Sequence, residues 1–149
     1  MQMFDRSQLN FNVETFKLAD MPSDIGIGLR RSDTKKPLAI VSESYVPVQY
    51  TEIVNHIEDA LIIASDDENT KLDLSETEFS VDVLGDGEQL ELKARFHGQK
   101  TFLDGNSGFL SRGKDELIVP EFCFRTSHNR TWANNGMMGV WRAKCWNTQ

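Results

Sequence analysis

Residues Ala39 to Ala64 constrain this chain most. Ile53, Val54, Ile57, Ala60, Leu61 and Ala64 recur at i, i+1, i+4, i+7, i+8 and i+11. A helix turning every 3.6 residues places all six on one face. Glu52, Glu58 and Asp59 fall off that stripe and are expected in water. Thr51 is the expected N-cap, because its hydroxyl can accept from an orphan backbone N–H. Asp66, Asp67 and Glu68 follow, where the helix dipole disfavours negative charge, so the helix is expected to end near Ala64. Ahead of it, Ala39-Ile40-Val41 reads as a strand and the segment around Pro47 as a turn.

The layer that covers the apolar stripe is predicted downstream. Phe79, Val81 and Val83 alternate with Ser80 and Asp82. Gly85-Asp86-Gly87-Glu88 supplies residues that tolerate positive φ. Leu90, Leu92, Ala94 and Phe96 then alternate with Glu91, Lys93 and Arg95. The expected fold class is α+β, an antiparallel sheet packed on one main amphipathic helix over about residues 51–64, in a single domain spanning 1–149. Leu117 to Phe124 reads as a further strand with Pro120 at an edge or bulge position. Gly136 to Trp146 reads as another, with a helix as the alternative. Ile25-Gly26-Ile27-Gly28-Leu29 is expected as an edge strand, residues 31–37 as a polar hairpin loop, residues 97–116 as a glycine-rich connection, and residues 1–20 as a loose arm with one short strand or turn of helix. The chain stops directly after its last apolar strand, which reads as a C-terminal truncation.

A chain of 149 residues that is 39% hydrophobic is long enough to bury a core without staples. No apolar run approaches the roughly 20 residues of a membrane helix, and the N-terminus lacks a basic start and an apolar h-region. With two cysteines and no export signal, a reduced cytoplasmic protein is expected. His56, His97, His128, Cys123 and Cys145 show no metal-ligand spacing. His56 is expected as a partly buried structural residue and Cys123 as core. The carboxylates of Asp66-Asp67-Glu68 are solvated neighbours, not the unlike pair that acid–base chemistry needs. Asp86 and Glu88, with Asp66 and Glu68, are weak cation candidates lacking any EF-hand pattern. These residues point to no catalytic site, no metal and no cofactor, and the chain is expected not to be an enzyme.

Charge is unevenly spread. Residues 51–91 hold thirteen acids against one base, and residues 92–149 hold nine bases against four acids. In the second segment Arg125, His128, Arg130, Trp132, Trp141, Arg142, Lys144 and Trp146 interleave cations with indoles. Phosphates attract cations, and each unpaired base gains about 1–3 kcal/mol by stacking on an aromatic face. Arg95, Lys100, Arg112, Lys114, Arg125, Arg130, Trp132, Arg142 and Lys144 are therefore the candidate contacts to single-stranded nucleic acid, with Lys93 beside them. The competing reading makes the tryptophans core and pairs the arginines with the protein's own acids. A second candidate surface is acidic: Asp66, Asp67 and Glu68 would attract a basic host protein or imitate nucleic acid. Self-association is compatible with either.

Val41-Ser42-Glu43-Ser44-Tyr45-Val46-Pro47-Val48-Gln49 resembles the V-S-x-x-Y-x-P-V-Q approach to the first helix of the phage/plasmid-like protein family. Thr126 to Trp132 resembles that family's N-S-x-D-G-S turn, with His128-Asn129-Arg130 departing from its usual acid and glycine. Arg142 to Thr148 resembles its R-x-x-C-x-N-T/G strand end. The resemblance implies a mobile-element protein in a host cytoplasm and no particular activity. The helix followed by a hairpin is also similar to the core of phage single-strand annealing recombinases, an analogy of fold. Two functions are therefore expected: binding or annealing of single-stranded nucleic acid in recombination, or an acidic protein-binding module acting in host takeover or anti-defence.

Overall fold

The computed structural model describes residues 3–20, 22, 25–70, 72–103 and 116–142, with the backbone alone at 101–103, 116 and 142. Strands β1 (Val13–Phe16), β2 (Ile27–Arg31) and β3 (Pro37–Val41) form one antiparallel sheet in that order. Helix α1 (Tyr50–Asp66) follows. The second sheet contains β4 (Thr77–Leu84), β5 (Gln89–Phe96), β6 (Thr101–Leu103), β7 (Glu116–Ser127) and β8 (Asn135–Arg142). β5 and β6 lie along one side of β7, separated by a 3₁₀ turn at His97–Gln99, and β8 lies along the other. The class is α+β, with two antiparallel sheets around one main helix.

The alternation at 77–96 sets the second sheet. Val81 pairs with Leu92 and Phe79 with Ala94, so the apolar residues of both strands share the face toward α1. Leu90, Leu92 and Ala94 are fully buried there. From the helix, Val54 and Leu61 are buried and Ile53 and Ile57 pack as half-buried residues. The four-residue turn after β4 needs positive φ at Gly85, Asp86 and Gly87. At Gly87 a Cβ would also lie 2.9 Å from the Phe11 ring, so no side chain fits. Pro120 falls between the stretches of β7 that pair with β5 and β6, where its missing N–H costs no ladder bond on that side.

Several local expectations change. The N-cap of α1 is Gln49, not Thr51. Gln49 makes no side-chain cap; its Oε1 accepts from Val13 N (2.8 Å) and its Nε2 donates to Val13 O (2.9 Å), closing the free edge of β1. The helix runs to Asp66, and the Thr70 hydroxyl donates back to Ala64 O. β2 is the central strand of its sheet, not an edge. Its Gly28 is required because the Phe16 ring occupies the space a Cβ would fill, 2.3 Å away.

The N-terminal segment holds the one short strand expected there, β1, but is core and not a loose arm: Phe4, Leu9, Phe11 and Val13 are all buried. The anchor is Glu58, buried to 6% exposure where solvation was expected. Its Oε2 accepts from the N–H groups of Met3 and Phe4, both at 2.9 Å, and its Oε1 accepts from Arg6 at 2.7 Å. Burial opposes the Glu58 charge, but the bonds from Arg6, Phe4 and Met3 outweigh it and hold the carboxyl below its ordinary range.

Glu58→Ala leaves two buried N–H groups and Arg6 without their acceptor, and is expected to cost about 3 kcal/mol, read as a lower urea midpoint. A folded-state pKa below the unfolded one stabilises at neutral pH and is lost as pH falls through the carboxylate range. Acid titration should therefore release the N-terminal segment earlier than the β4–β5 hairpin, measured by amide hydrogen exchange.

Candidate functional site

The outer face of the second sheet carries three of the predicted cations, Lys93, Arg95 and Arg125. Register places Glu91 opposite Arg125, Lys93 opposite Cys123, and Arg95 opposite Glu121. Arg125 Nε donates to Glu91 at 2.5 Å, and Lys93 approaches the same carboxylate at 3.2 Å. Arg95 Nε donates to Glu121 at 2.6 Å and lies 3.8 Å from Glu78, which His97 also contacts at 3.0 Å. Burial opposes ionisation of Glu91, yet the bonds from Arg125 and Lys93 keep its carboxyl below the usual range. The guanidinium carbon of Arg95 sits 4.8 Å from the Trp141 ring centre and that of Arg125 5.3 Å from Trp132. A phosphate reaching Arg95 or Arg125 meets a guanidinium whose charge is already paired with a carboxylate.

The other predicted contacts separate. Lys100 is exposed beyond the 3₁₀ turn, at the far end of β5 from Arg125. Arg130 has a positive φ of 65° and donates to Ile40 O at 3.2 Å, against the edge of β3. Arg142 ends β8 opposite Ile118. Arg112, Lys114, Lys144, Cys145 and Trp146 lie outside the described residues.

His128 is no surface cation. It is buried, stacks on Tyr50 with ring centres 4.1 Å apart, and its Nε2 has no hydrogen-bond partner among the described residues. Burial pulls its pKa down to about 4. His56 is exposed on α1, not partly buried as the sequence implied. Cys123 is buried, but on the outer face beside Lys93 and Met137, while Phe122 and Phe124 point inward. Burial and the neighbouring Glu91 push its thiol up, away from nucleophilic use. Asp86 and Glu88 face Lys36, each at 3.4 Å, in place of a cation. Among the described residues no group of three or more metal-ligating side chains forms, and no helix is long and apolar enough to cross a membrane.

Asp66, Asp67 and Glu68 are exposed at the end of α1, as the acidic surface requires. Glu52, Asp59 and Asp66 stand seven residues apart along one exposed line of the helix. Unforeseen in the sequence is the exposed apolar surface. Ile63 is 72% exposed, and Met138 and Val140 of β8 are 67% and 60% exposed. A groove of about 320 Å³ runs between α1 and the inner face of β7 and β8. The available signal was that residues 135–141 contain no charge. No family model, curated protein or solved structure matches the chain.

The depressed His128 pKa means the unfolded chain binds its proton first. This contribution to stability is complete above the unfolded value of about 6.5 and is lost as pH falls toward about 4. His128→Phe keeps the stack on Tyr50 and removes the titration. Urea melts of the two proteins from pH 7 to pH 4.5 should show the parent losing roughly 2 kcal/mol more than the variant. Parallel pH profiles would contradict the buried neutral imidazole.

Proposed function

We propose that this chain is a non-catalytic protein-binding module whose acidic helix surface receives a basic partner. The observation that carries the reading is the exposed side of α1 and its C-terminal end, which present Glu52, Asp59, Asp66, Asp67 and Glu68 together with the exposed Ile63. None of these five acids is in an ion pair with another described residue. Other carboxylates of the 51–91 segment, among them Glu58, Glu78 and Glu91, are matched by Arg6, Arg95 and Arg125. Unmatched charge beside exposed apolar area is what a complementary protein surface recognises. The resemblance around Val41 to Leu61 supports a mobile-element origin, and with it a partner in the host such as a nucleic-acid-binding or defence protein.

Binding of single-stranded nucleic acid is the second reading. Its support is the half-buried Trp132 under Arg125, together with Arg130 and the exposed Lys100. The pairing of Arg95 and Arg125 with Glu121 and Glu91 weighs against it.

Two measurements separate the readings. A protein with Asp66→Lys, Asp67→Lys and Glu68→Lys should lose the basic host proteins captured by the parent, and an unchanged capture profile would refute the acidic surface. A labelled thirty-base single strand should show no binding at low salt. Binding that weakens steeply with added salt would instead transfer the assignment to the outer sheet face.

A further inference from the structure

Unpaired N–H and C=O groups along a strand edge recruit another strand, so proteins shorten, charge or cover their edges. Among the described residues every strand edge but one is guarded in this way. Gln49 closes β1 by bonding both the N–H and the C=O of Val13. β3 opens on Pro37, and Arg130 donates to its Ile40 O. β4 carries the exposed acids Glu78 and Asp82. β6 is three residues long. β8 is the exception: it runs eight residues without proline and, from Asn135 to Trp141, without charge. It pairs with β7 alone among the described residues. Antiparallel pairing turns the N–H and C=O of about every second residue away from β7. Both faces of the strand are also open: Met137 is 41% exposed on one, and Met138 and Val140 are 67% and 60% exposed on the other.

We infer that the free edge of β8 pairs antiparallel with β8 of a second copy of this chain, about a two-fold axis at Gly139. A two-fold contact requires a strand that complements itself, residue i meeting j while j meets i. With the axis at Gly139, Met138 lies opposite Val140 of the second copy and Met137 opposite Trp141. Side chains directly opposite share a face about 5 Å apart, so apolar meets apolar on both faces. Arg142, the single charge of the strand, falls opposite Gly136, and no like charges meet. An axis at Met138 instead sets Met137 against Gly139 and Val140 against Gly136. An axis at Val140 sets Met138 against Arg142 and Trp141 against Gly139. Only the axis at Gly139 matches each large apolar side chain with another. The pairing continues the sheet through β7, β8, β8 and β7, with α1 over β5 in each copy. The two β5 strands then stand five strand spacings apart, about 24 Å, well beyond the roughly 8–10 Å over which exposed charges act. The acids of α1 therefore do not oppose the pairing, and the pairing does not depend on what those acids bind.

The test is sedimentation of the purified chain over a concentration series, joined to disulfide cross-linking. The mass should rise from one chain to two between about 1 μM and about 300 μM, the range of a contact at the small end of interface sizes. Met138→Lys with Val140→Lys sets lysine against lysine twice and should weaken the dimer about tenfold or more. Met138→Lys with Val140→Glu sets lysine against glutamate twice and should recover most of that loss. Gly139→Cys in a Cys145→Ser background should cross-link two copies under mild oxidation. A Cβ at Gly139 meets nothing within 4 Å, so this variant keeps the fold. Should the lysine variants melt early, the cross-link decides. A single-chain mass at every concentration would overturn the pairing and leave the edge to another strand. A dimer indifferent to the paired lysines, or one that Gly139→Cys does not cross-link, would overturn β8 as its seat. A dimer that Met138→Cys cross-links faster than Gly139→Cys would overturn the axis.

Discussion

Tyr50 joins the parts of this molecule. It opens α1, and its ring meets Phe11 of the N-terminal segment edge-on at 5.8 Å and stacks on His128 beyond β7 at 4.1 Å. Its hydroxyl donates to Gly87 O in the β4–β5 turn at 3.0 Å. Burial pushes the phenol pKa up, so the group stays a neutral donor. One aromatic residue thus ties four stretches of chain distant in sequence, using its rim, its face and its polar tip separately. Arg31 reinforces the same corner by lying 4.0 Å over Phe11 and donating to Asp86 O. Through this corner the two sheets share a continuous core running from Phe4 to Phe96.

The surface divides by whether its charges are already matched. On the outer sheet face, Glu and Arg alternate across β4, β5 and β7, and every described guanidinium there has a carboxylate. Each exposed pair contributes little to stability, yet together they neutralise the face and leave weak attraction for a phosphate chain. The helix carries the opposite pattern. Its solvent side holds acids without cations next to isoleucine, and the sheet beside it ends in methionine and valine. Methionine adapts its shape to what lies against it, which suits a surface that meets another protein.

Periodicity made the main elements legible. The alternation at Phe79 to Val83 and Leu90 to Phe96 yields the observed register and the observed inner face. The helix spacing identifies Val54 and Leu61 as its buried side. Misread residues share one cause: period states which side of an element a residue occupies, not what arrives at that side. Glu58 lies off the apolar stripe, and it is buried because Met3, Phe4 and Arg6 fold over it. His128 stands in a polar, cationic stretch, and it is buried because β7 delivers it to the face of Tyr50. The N-terminal apolars hold no strict period, since each fills a separate position around the helix and hairpin.

From the sequence alone follow the class of fold, the helix, the central hairpin with its glycine turn, and the segregation of acidic and basic segments. All of these depend on neighbours within a turn or a strand, where side-chain direction is set by local geometry. Tertiary structure decided which charges remain available. Arg95 and Arg125 are matched because antiparallel register brings Glu121 and Glu91 across from them, a relation between residues 26 and 34 positions apart. The acids at the end of α1 remain unmatched because no described strand or loop brings a cation to them. The apolar groove between α1 and the sheet also arises from tertiary structure: among the described residues, one helix spans the β4–β5 side of a sheet that continues to β7 and β8.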